Sequence, residues 1–374
     1  MEHTFTIDQK RLSHVLSAMQ AICARRTTMD ATSSILFQAS HHELVLKSTD
    51  LEISVQYSCP LNNASISEPL DFLVSGRRIF ELTKELDGDV QFNLNSNQIM
   101  LASGNAQLSL NIKDCQEFPP FPERIENLME LKAAVLLQML EQVSFVIPQS
   151  NANPALNGLL VEINDQGMKM TATDGHCLAQ AITDQYRLPE ARSWLLPRRA
   201  VLELKKIIEA SNNEKIFLGI CGNQMVFSGD SFNFFTKLLV DSFPEYLPIL
   251  NRDGFSRRVA PKADFIKALR RSACLLSGQF IATEFNLDDA TLEVAMVNKE
   301  VGNLREQLTM SEYVPGSMAI RFYAPYLLNG LHALPGDTVI FWLHSTMRPI
   351  IFQAECPACQ VTYLVMPVSP VTNA

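Results

Sequence analysis

The feature that most constrains this chain is an internal repeat with a period close to a third of its 374 residues. A short strand followed by a helix with an apolar stripe is indicated at residues 5–19, and the pattern returns at 129–143 and 258–272. The stripes are Leu12, Val15, Leu16 and Met19, then Leu136, Leu137, Leu140 and Val143, then Phe265, Ile266 and Leu269. The repeat predicts three similar domains, in keeping with the length of the chain.

Each repeat also has a second predicted helix. In the first two repeats a pair of arginines, Arg77–Arg78 and Arg198–Arg199, precedes an apolar stripe with the spacing i, i+3, i+7. The stripes are Ile79, Leu82 and Leu86 in the first repeat, Val201, Leu204 and Ile208 in the second, and Leu327, Leu331 and Leu334 in the third, after Arg321. Both predicted helices recur in the same order in each repeat. This recurrence argues against the interpretation that the pattern arises by chance.

Between the helices the sequence indicates strands. Residues 44–57 and 168–182 alternate apolar and polar side chains, and residues 98–110, 224–238 and 349–365 have the pattern of hairpins. Apolar helix stripes must be buried against sheets, so the pattern predicts an α+β fold in which each domain has two helices packed on antiparallel sheets of roughly eight strands. Proline-bearing links at 118–122 and 243–248 place the domains at 1–127, 128–255 and 256–374.

The net charge of −9, taken alone, argues against a nucleic-acid partner. The distribution of the charged residues along the chain weakens that argument. The six predicted helix windows carry +8 together, so the remaining residues carry −17. Those windows are residues 8–20, 75–86, 132–142, 197–209, 261–273 and 321–333. The helices either form a basic surface that attracts phosphates without reading bases, or simply present solvated faces. Charge alone leaves both interpretations open.

The cysteines and the chain start bear on compartment and cofactors. Eight cysteines are scattered along the chain, which is typical of small buried hydrophobic residues in a cytosolic protein. Cys356 and Cys359 form a CxxC in a predicted hairpin connection, without the second ligand pair that a zinc site needs. We therefore predict no metal and no cofactor. No apolar run is long enough for a membrane helix, and no signal peptide is evident, which predicts a cytoplasmic protein.

A series of short motifs resembles the bacterial DNA polymerase III beta subunit, the beta sliding clamp. Each motif is weak alone, but together, in this order and along nearly the whole chain, they are specific. The motifs are Thr49-Asp50-Leu51-Glu52, Leu156-Asn157-Gly158, Ala172-Thr173-Asp174-Gly175-His176, Pro197-Arg198-Arg199, Phe243-Pro244-Glu245-Tyr246 and Val365-Met366-Pro367-Val368. The resemblance implies a head-to-tail homodimer with six domains, closed into a ring around double-stranded DNA, that serves as a processivity factor without catalysis of its own.

The resemblance also implies a partner site, an apolar cleft between the second and third domains. In this family a short peptide with a Gln and bulky apolar residues, carried by polymerase subunits, clamp loader and repair proteins, occupies that cleft. On this chain the cleft would be lined by Leu156, Thr173, Gly175, His176, Leu178, Pro244, Ile249, Phe280, Tyr323, Tyr326, Met347, Pro349, Leu364, Val365, Met366, Pro367 and Val368.

Two further surfaces follow from the resemblance. DNA contacts would fall on Arg26, Arg77, Arg78, Arg198 and Arg199. At the dimer contact Leu108 and Leu110, on an edge strand of the first domain, would meet Leu275 and Leu276 of the other copy. Such pairing would also cover an exposed sheet edge, which otherwise promotes aggregation.

The sequence departs from the family in a few places. Cys177 stands where the family usually has Arg, and Pro248 and Tyr323 stand where polar residues occur in better-known members. The chain continues to Ala374, past the usual end, and the loop at 151–155 lacks the Arg and aromatic residues of some relatives, which predicts weaker DNA affinity. These departures keep open a clamp paralogue with a specialised partner set.

An enzyme is the alternative from a different class. His176, Asp174 and Cys177 are close in sequence and are of the residue types used in acid–base and nucleophilic catalysis. However, Asp174-Gly175 is also typical of a tight turn, and the neighbouring unusual residues are apolar. We therefore expect a turn beside a peptide groove.

Overall fold

The fold repeats one order of elements three times. The computed structural model describes residues 3–24, 28–61, 63–95, 97–122, 125–277, 282–288, 291–310 and 316–368, and these residues form six α-helices and 25 β-strands. In each third of the chain a strand and a helix are followed by four strands (five in the first third), a second helix and three strands. This order confirms the predicted α+β class, with two helices and eight or nine strands in each repeat.

The bounds of the elements are as follows. The helices are α1 (Gln9–Ile22), α2 (Gly76–Lys84), α3 (Ala133–Val143), α4 (Arg198–Ala210), α5 (Lys262–Ala273) and α6 (Ala324–Ala333). The strands of the first third are β1 (His3–Asp8), β2 (Ser34–Ala39), β3 (Glu43–Thr49), β4 (Ile53–Pro60), β5 (Asn63–Ser65), β6 (Leu70–Ser75), β7 (Asp89–Leu94), β8 (Gln98–Ser103) and β9 (Ala106–Asn111). Those of the second are β10 (Glu126–Lys132), β11 (Gly158–Ile163), β12 (Met168–Thr173), β13 (Cys177–Thr183), β14 (Arg192–Pro197), β15 (Lys215–Cys221), β16 (Gln224–Ser228) and β17 (Phe232–Lys237). Those of the third are β18 (Ser256–Pro261), β19 (Thr283–Asp288), β20 (Thr291–Asn298), β21 (Gly302–Thr309), β22 (Met318–Phe322), β23 (Thr338–Leu343), β24 (Ile350–Glu355) and β25 (Gln360–Val365).

Spatial contacts divide the chain into two compact units, each built from two segments. The first unit comprises Met1–Ala134 and Arg199–Leu238, and the second comprises Val135–Arg198 and Leu239–Ala374. The predicted boundaries near 127 and 255 follow the sequence repeat, which is a different criterion, and they stay predictions.

The first unit contains two antiparallel sheets. One has the strand order β5-β1-β7-β8-β9, and the other has the order β10-β15-β16-β17-β4-β3-β2-β6. The predicted stripe of α1 is confirmed, since Leu12, Val15, Leu16 and Met19 are buried. The stripe of α2 is confirmed in part, since Ile79 and Leu86 are buried. Leu82 is only partly buried, and Leu86 lies beyond the helix, which ends at Lys84. The helix buries Thr83 instead, whose hydroxyl donates to the carbonyl of Ile79 at 2.7 Å.

The second unit contains the sheets β14-β11-β12-β13-β25-β24-β23-β18 and β21-β20-β19-β22. Helices α5 and α6 pack on each other, and α5 inserts Phe265 among the rings of Phe285, Phe341 and Phe352. Strand β13 pairs with β25, with Leu178 opposite Leu364. This pairing places the last strand of the chain beside the turn that precedes β13.

The cysteines follow the prediction in part. Four are buried, three are partly exposed, and Cys274 is exposed, so the expectation of small buried residues is wrong for that position. Cys356 and Cys359 lie in the turn between β24 and β25, as predicted, and burial raises the pKa of the Cys359 thiol to about 12. Among the described residues no three His, Cys, Asp or Glu side chains cluster as metal ligands would. None of the helices described is both long and apolar enough to cross a membrane.

Candidate binding surfaces

The turn between β12 and β13 is fixed by its own polar groups. The Asp174 carboxylate accepts hydrogen bonds from the backbone N–H groups of His176 and Cys177, at 2.8 and 2.7 Å. Gly175 has a φ of +92°, a conformation that favours glycine, and its N–H donates to the Thr173 hydroxyl at 3.1 Å. The expected tight turn is therefore confirmed, and Asp174 acts in it as a structural acceptor.

This turn exposes His176 beside two tyrosines from the start of α6. The His176 ring stacks on that of Tyr326, with centroids 5.8 Å apart and planes 16° apart. Tyr323 meets Tyr326 edge to face at 5.1 Å. Burial raises the pKa of the Tyr326 hydroxyl, and the negative charge of Asp174 adds to the effect. The result is an aromatic wall in which the ring of His176 is exposed.

The floor beside this wall is apolar. Leu178, Ile351, Leu364 and Tyr246 form one buried cluster, and partly buried side chains pack on it. Those side chains are Leu160, Phe243, Ile249, Leu250, Phe255 and Trp342. Residues 243–250 are therefore held against the sheet that carries β13 and β25.

The last described residues run along the same turn. The N–H of Met366 donates to the carbonyl of His176 at 2.8 Å, and the N–H of Val368 donates to the carbonyl of Arg321 at 2.8 Å. Under them the Tyr363 hydroxyl donates to the carbonyl of Tyr326 at 2.7 Å. These bonds tie residues 363–368 to the turn before β13, to β22 and to α6.

The predicted cleft residues divide into a buried floor and an accessible rim. The floor consists of Leu156, Thr173, Leu178, Pro349, Leu364 and Val365, which are all buried. The rim consists of Gly175, His176, Pro244, Ile249, Tyr323, Tyr326, Met347, Met366, Pro367 and Val368, which are partly or fully exposed. Phe280 lies outside the described residues. The hydrogen bonds and ring contacts above bring most of these residues together. Met347, in contrast, is 79% exposed and precedes β24.

Tyr246 was not among the predicted cleft residues, although it belongs to the buried cluster that they share. Its hydroxyl donates to the Glu162 carboxylate at 2.5 Å and accepts from the Gln180 amide at 3.3 Å. Burial first, and then the bond to Glu162, raise the pKa of Tyr246 to about 12. Glu162 and Gln180 are polar residues inside apolar strand patterns, which is a sequence signal for such a network.

The structure argues against a nucleophilic role for Cys177. Its side chain is 3% exposed, and burial, with the nearby Asp174 charge, raises the pKa of the thiol to about 12. Reactive cysteines need the opposite, a lowered pKa and access to solvent. Asp174 is already engaged by backbone N–H groups, so the three residues do not form a catalytic arrangement.

Alkylation should reflect this burial. At pH 8 iodoacetamide is expected to modify the exposed Cys274 readily and to leave Cys177 unmodified until guanidinium unfolds the chain, because a thiol with a raised pKa stays protonated. Peptide mass spectrometry over a time course measures both sites in one sample. Equal rates at the two cysteines in the folded protein would contradict the assignment.

The predicted DNA-binding arginines have different surroundings. Arg77 and Arg78, on α2, have side chains 79% and 70% exposed and share Glu81, at 2.7 and 3.6 Å. Arg198 is partly buried and donates to the carbonyl of Ile147 at 3.0 Å. Arg26 lies outside the described residues.

Arg199 is tied to the body of the first unit. It pairs with the Asp50 carboxylate and donates to the carbonyls of Ala21 and Ile22, at 3.1 and 3.4 Å. A cation at the carboxyl end of α1 also offsets the partial negative charge there. Arg199 therefore has a structural role that the sequence did not indicate.

The predicted dimer residues lie at an edge and in a turn. Leu108 and Leu110 are partly buried on β9, opposite Leu101 and Ile99 of β8. β9 is the last strand of its sheet among those described. Leu275 and Leu276 are partly buried in the turn that follows α5.

Three family models match the chain in order. They are the N-terminal domain of the DNA polymerase III beta subunit at residues 3–122, its central domain at 130–245 and its C-terminal domain at 252–369. Together they leave only short links and termini unmatched.

Relatives and solved structures agree with these matches. A beta sliding clamp of Staphylococcus aureus is 26% identical over 373 residues, covering 97% of this chain and 98% of its own length. A DnaN sliding clamp from Pseudomonas aeruginosa, solved with griselimycin bound, has a TM-score of 0.92 at 24% identity and covers 99% of this chain and 100% of that one. A polymerase sliding clamp from Bacillus subtilis also has a TM-score of 0.92, at 22% identity, over 99% of this chain and 100% of its own. At these identities the two structures show a shared fold.

Proposed function

Because this chain belongs to the DNA polymerase III beta subunit family and is a DNA sliding clamp, we propose that two copies close head to tail into a six-domain ring around duplex DNA. The ring tethers the replicative polymerase in the cytoplasm and has no catalysis of its own. The observation that carries the proposal is the match of three clamp-domain models, in order, over residues 3–369. The domains proposed are 1–127, 128–255 and 256–374.

The surface proposed to face DNA lies on the helices. Arg77 and Arg78 share one carboxylate, so this part of α2 keeps a net positive charge at its exposed face. Exposed arginines attract phosphates without reading base sequence, which suits a ring that slides. Arg198 adds positive potential, whereas the charge of Arg199 is offset by its ion pair with Asp50. The hydrogen bonds of both arginines restrict their reach.

Replacing Arg77 and Arg78 together by alanine is expected to shorten retention of the ring on nicked circular DNA. The slope of log affinity against log salt should fall by about one for each phosphate that the variant no longer neutralises. The matched control is Arg187→Ala, because Arg187 is an exposed arginine in a loose ion pair with Asp184 at 3.8 Å, outside the helices. If retention and the salt slope of the double alanine variant equalled those of wild type, α2 would not contact DNA.

The surface proposed for the second copy is a pair of sheet edges. In the described part of the chain β9 pairs only with β8, and β21 only with β20. Both strands alternate, with Leu108 and Leu110 on one face of β9 and Leu304 and Leu308 on one face of β21. Pairing β9 of one copy with β21 of the other would satisfy both rows of backbone groups. Leu275 and Leu276 would then meet Leu108 and Leu110.

The cleft is the surface proposed for polymerase subunits, clamp loader and repair proteins. A buried apolar floor with an aromatic rim and few polar groups is suited to anchor a short peptide with bulky side chains. The His176–Tyr326 stack and the Met366 bond to His176 hold the rim in place before a peptide arrives. Such preorganisation lowers the entropic cost of binding.

A further inference from the structure

Residues 243–250, called the linker segment below, pack on the sheet face that forms the floor of the proposed cleft. Leu178 and Leu364 are paired across β13 and β25, and both belong to the buried cluster that the segment covers. Apolar burial has no preferred direction, so an apolar face alone would let a segment shift along it. Two residues of the proposed rim, Pro244 and Ile249, lie in this segment, so their positions depend on what fixes it.

Tyr246 fixes the linker segment through directional bonds. Its side chain is 8% exposed and belongs to the same buried cluster as Leu178. Its hydroxyl donates to the carboxylate of Glu162, on β11, at 2.5 Å and accepts from the amide of Gln180, on β13, at 3.3 Å. The Gln180 amide also donates to the hydroxyl of Thr171, on β12, at 3.0 Å. Because hydrogen bonds require fixed distances and angles, this network across three neighbouring strands defines one position for Tyr246.

The chain around Tyr246 carries this position to the rim. Pro244 and Pro248 lie two residues before and two residues after it, and their rings fix φ, which leaves the segment little freedom. The N–H of Ile249 donates to the carbonyl of Tyr246 at 3.1 Å and closes the short 3-10 turn that follows it. The ring of Phe243 meets that of Tyr246 edge to face, with centroids 6.0 Å apart. The position of Tyr246 therefore determines the positions of both rim residues.

We propose that Tyr246 is a positioning residue of the peptide cleft. Held by Glu162 and Gln180, it keeps Pro244 and Ile249 in the arrangement that a partner peptide meets, and it is itself too buried to form the contact surface. This role rests on the peptide cleft proposed above. A rim that is fixed before the peptide arrives avoids the ordering cost that a mobile segment would add to binding.

Tyr246→Phe keeps the ring and removes only the hydroxyl. The linker segment should then hold its binding-competent position for a smaller fraction of the time, which lowers the rate of peptide association by that fraction. Stopped-flow anisotropy with a fluorescein-labelled peptide, a Gln followed by bulky apolar residues, measures both rate constants. We expect association about tenfold slower and dissociation within about twofold of wild type, whereas loss of a direct contact would raise the dissociation rate. The matched control is Tyr57→Phe, at a buried tyrosine of β4 in the first unit, and it should bind like wild type.

Substitutions of Glu162 separate positioning from general stability. Glu162→Gln keeps an oxygen that accepts from the Tyr246 hydroxyl and should retain fast association, whereas Glu162→Ala should match Tyr246→Phe. Because both changes break the same bond, the double variant Tyr246→Phe with Glu162→Ala should associate no more slowly than either single variant. Amide hydrogen exchange in Tyr246→Phe should become faster in residues 243–250 and stay at the wild-type rate in β13 and β25.

The outcomes distinguish the role of Tyr246 from the cleft itself. Wild-type association by Tyr246→Phe, or additive losses in the double variant, would overturn the role and leave the cleft standing. Faster exchange throughout the sheet would overturn it as well, because slower binding would then reflect general destabilisation. A wild-type chain that did not bind the peptide would overturn the proposed cleft, and the role of Tyr246 with it.

Discussion

Deleting residues 366–374 is expected to abolish stimulation of the replicative polymerase while the dimer and its retention on circular DNA persist. Val365 is the last fully buried residue of β25, so the deletion leaves the sheet intact. It removes Met366 and Val368, whose N–H groups bond to the His176 and Arg321 carbonyls at the rim of the proposed cleft. Burial of one Met or Val side chain contributes about 1.5–3 kcal/mol, so peptide affinity should fall by about tenfold to a hundredfold for each of these side chains removed.

The experiment needs two truncations and two assays. The control is deletion of residues 369–374 alone, which keeps Met366, Pro367 and Val368 and is expected to behave like wild type. A fluorescein-labelled peptide with a Gln followed by bulky apolar residues reports cleft binding by anisotropy, and primer extension on a long template reports stimulation. If the longer truncation bound the peptide normally, the end of the chain would not belong to the cleft. An equal decrease in peptide binding and polymerase stimulation in both truncations would show that residues 369–374 are responsible.

Local periodicity made most of the fold predictable. The stripe of Leu12, Val15, Leu16 and Met19 is decided by helix geometry within one segment, and it is buried as expected. The three hairpins also lie where alternation and turn residues placed them. The stripe of α2 was less accurate because Thr83 bonds to the carbonyl of Ile79, which lets a polar side chain take a buried position. Periodicity treats Thr as polar and cannot foresee that bond.

The candidate site was less accessible from sequence because its supporting contacts join distant residues. The Tyr246–Glu162 and Arg199–Asp50 pairs are 84 and 149 residues apart along the chain. No spacing rule links such distant positions. The family resemblance predicted that Arg199 contacts DNA, and only the structure showed that it also pairs with Asp50. The proposed cleft residues were predicted from the family resemblance. Composition alone would have predicted only that Leu178 and Leu364 belong to the hydrophobic core.

Replacing Leu275 and Leu276 together by alanine is expected to shift the protein from dimer to monomer. Both side chains are already partly buried in the chain, so dimerisation covers only their remaining surface. Removing that burial should cost about 1–2 kcal/mol for each leucine, which raises the dissociation constant by about 30-fold to 1,000-fold. Sedimentation equilibrium from nanomolar to micromolar protein covers this range. Leu328→Ala, a partly buried leucine on α6, serves as the matched control and should leave the dimer unchanged.

The functional consequence distinguishes a ring from an open complex. A topologically closed ring stays on circular DNA and slides off linear DNA, whereas a monomer should leave both at similar rates. The double leucine variant should therefore lose the difference between circular and linear DNA while its cleft still binds the labelled peptide. An intact dimer in this variant would place the subunit contact elsewhere. A monomer that still distinguished circular from linear DNA would mean that retention does not depend on ring closure.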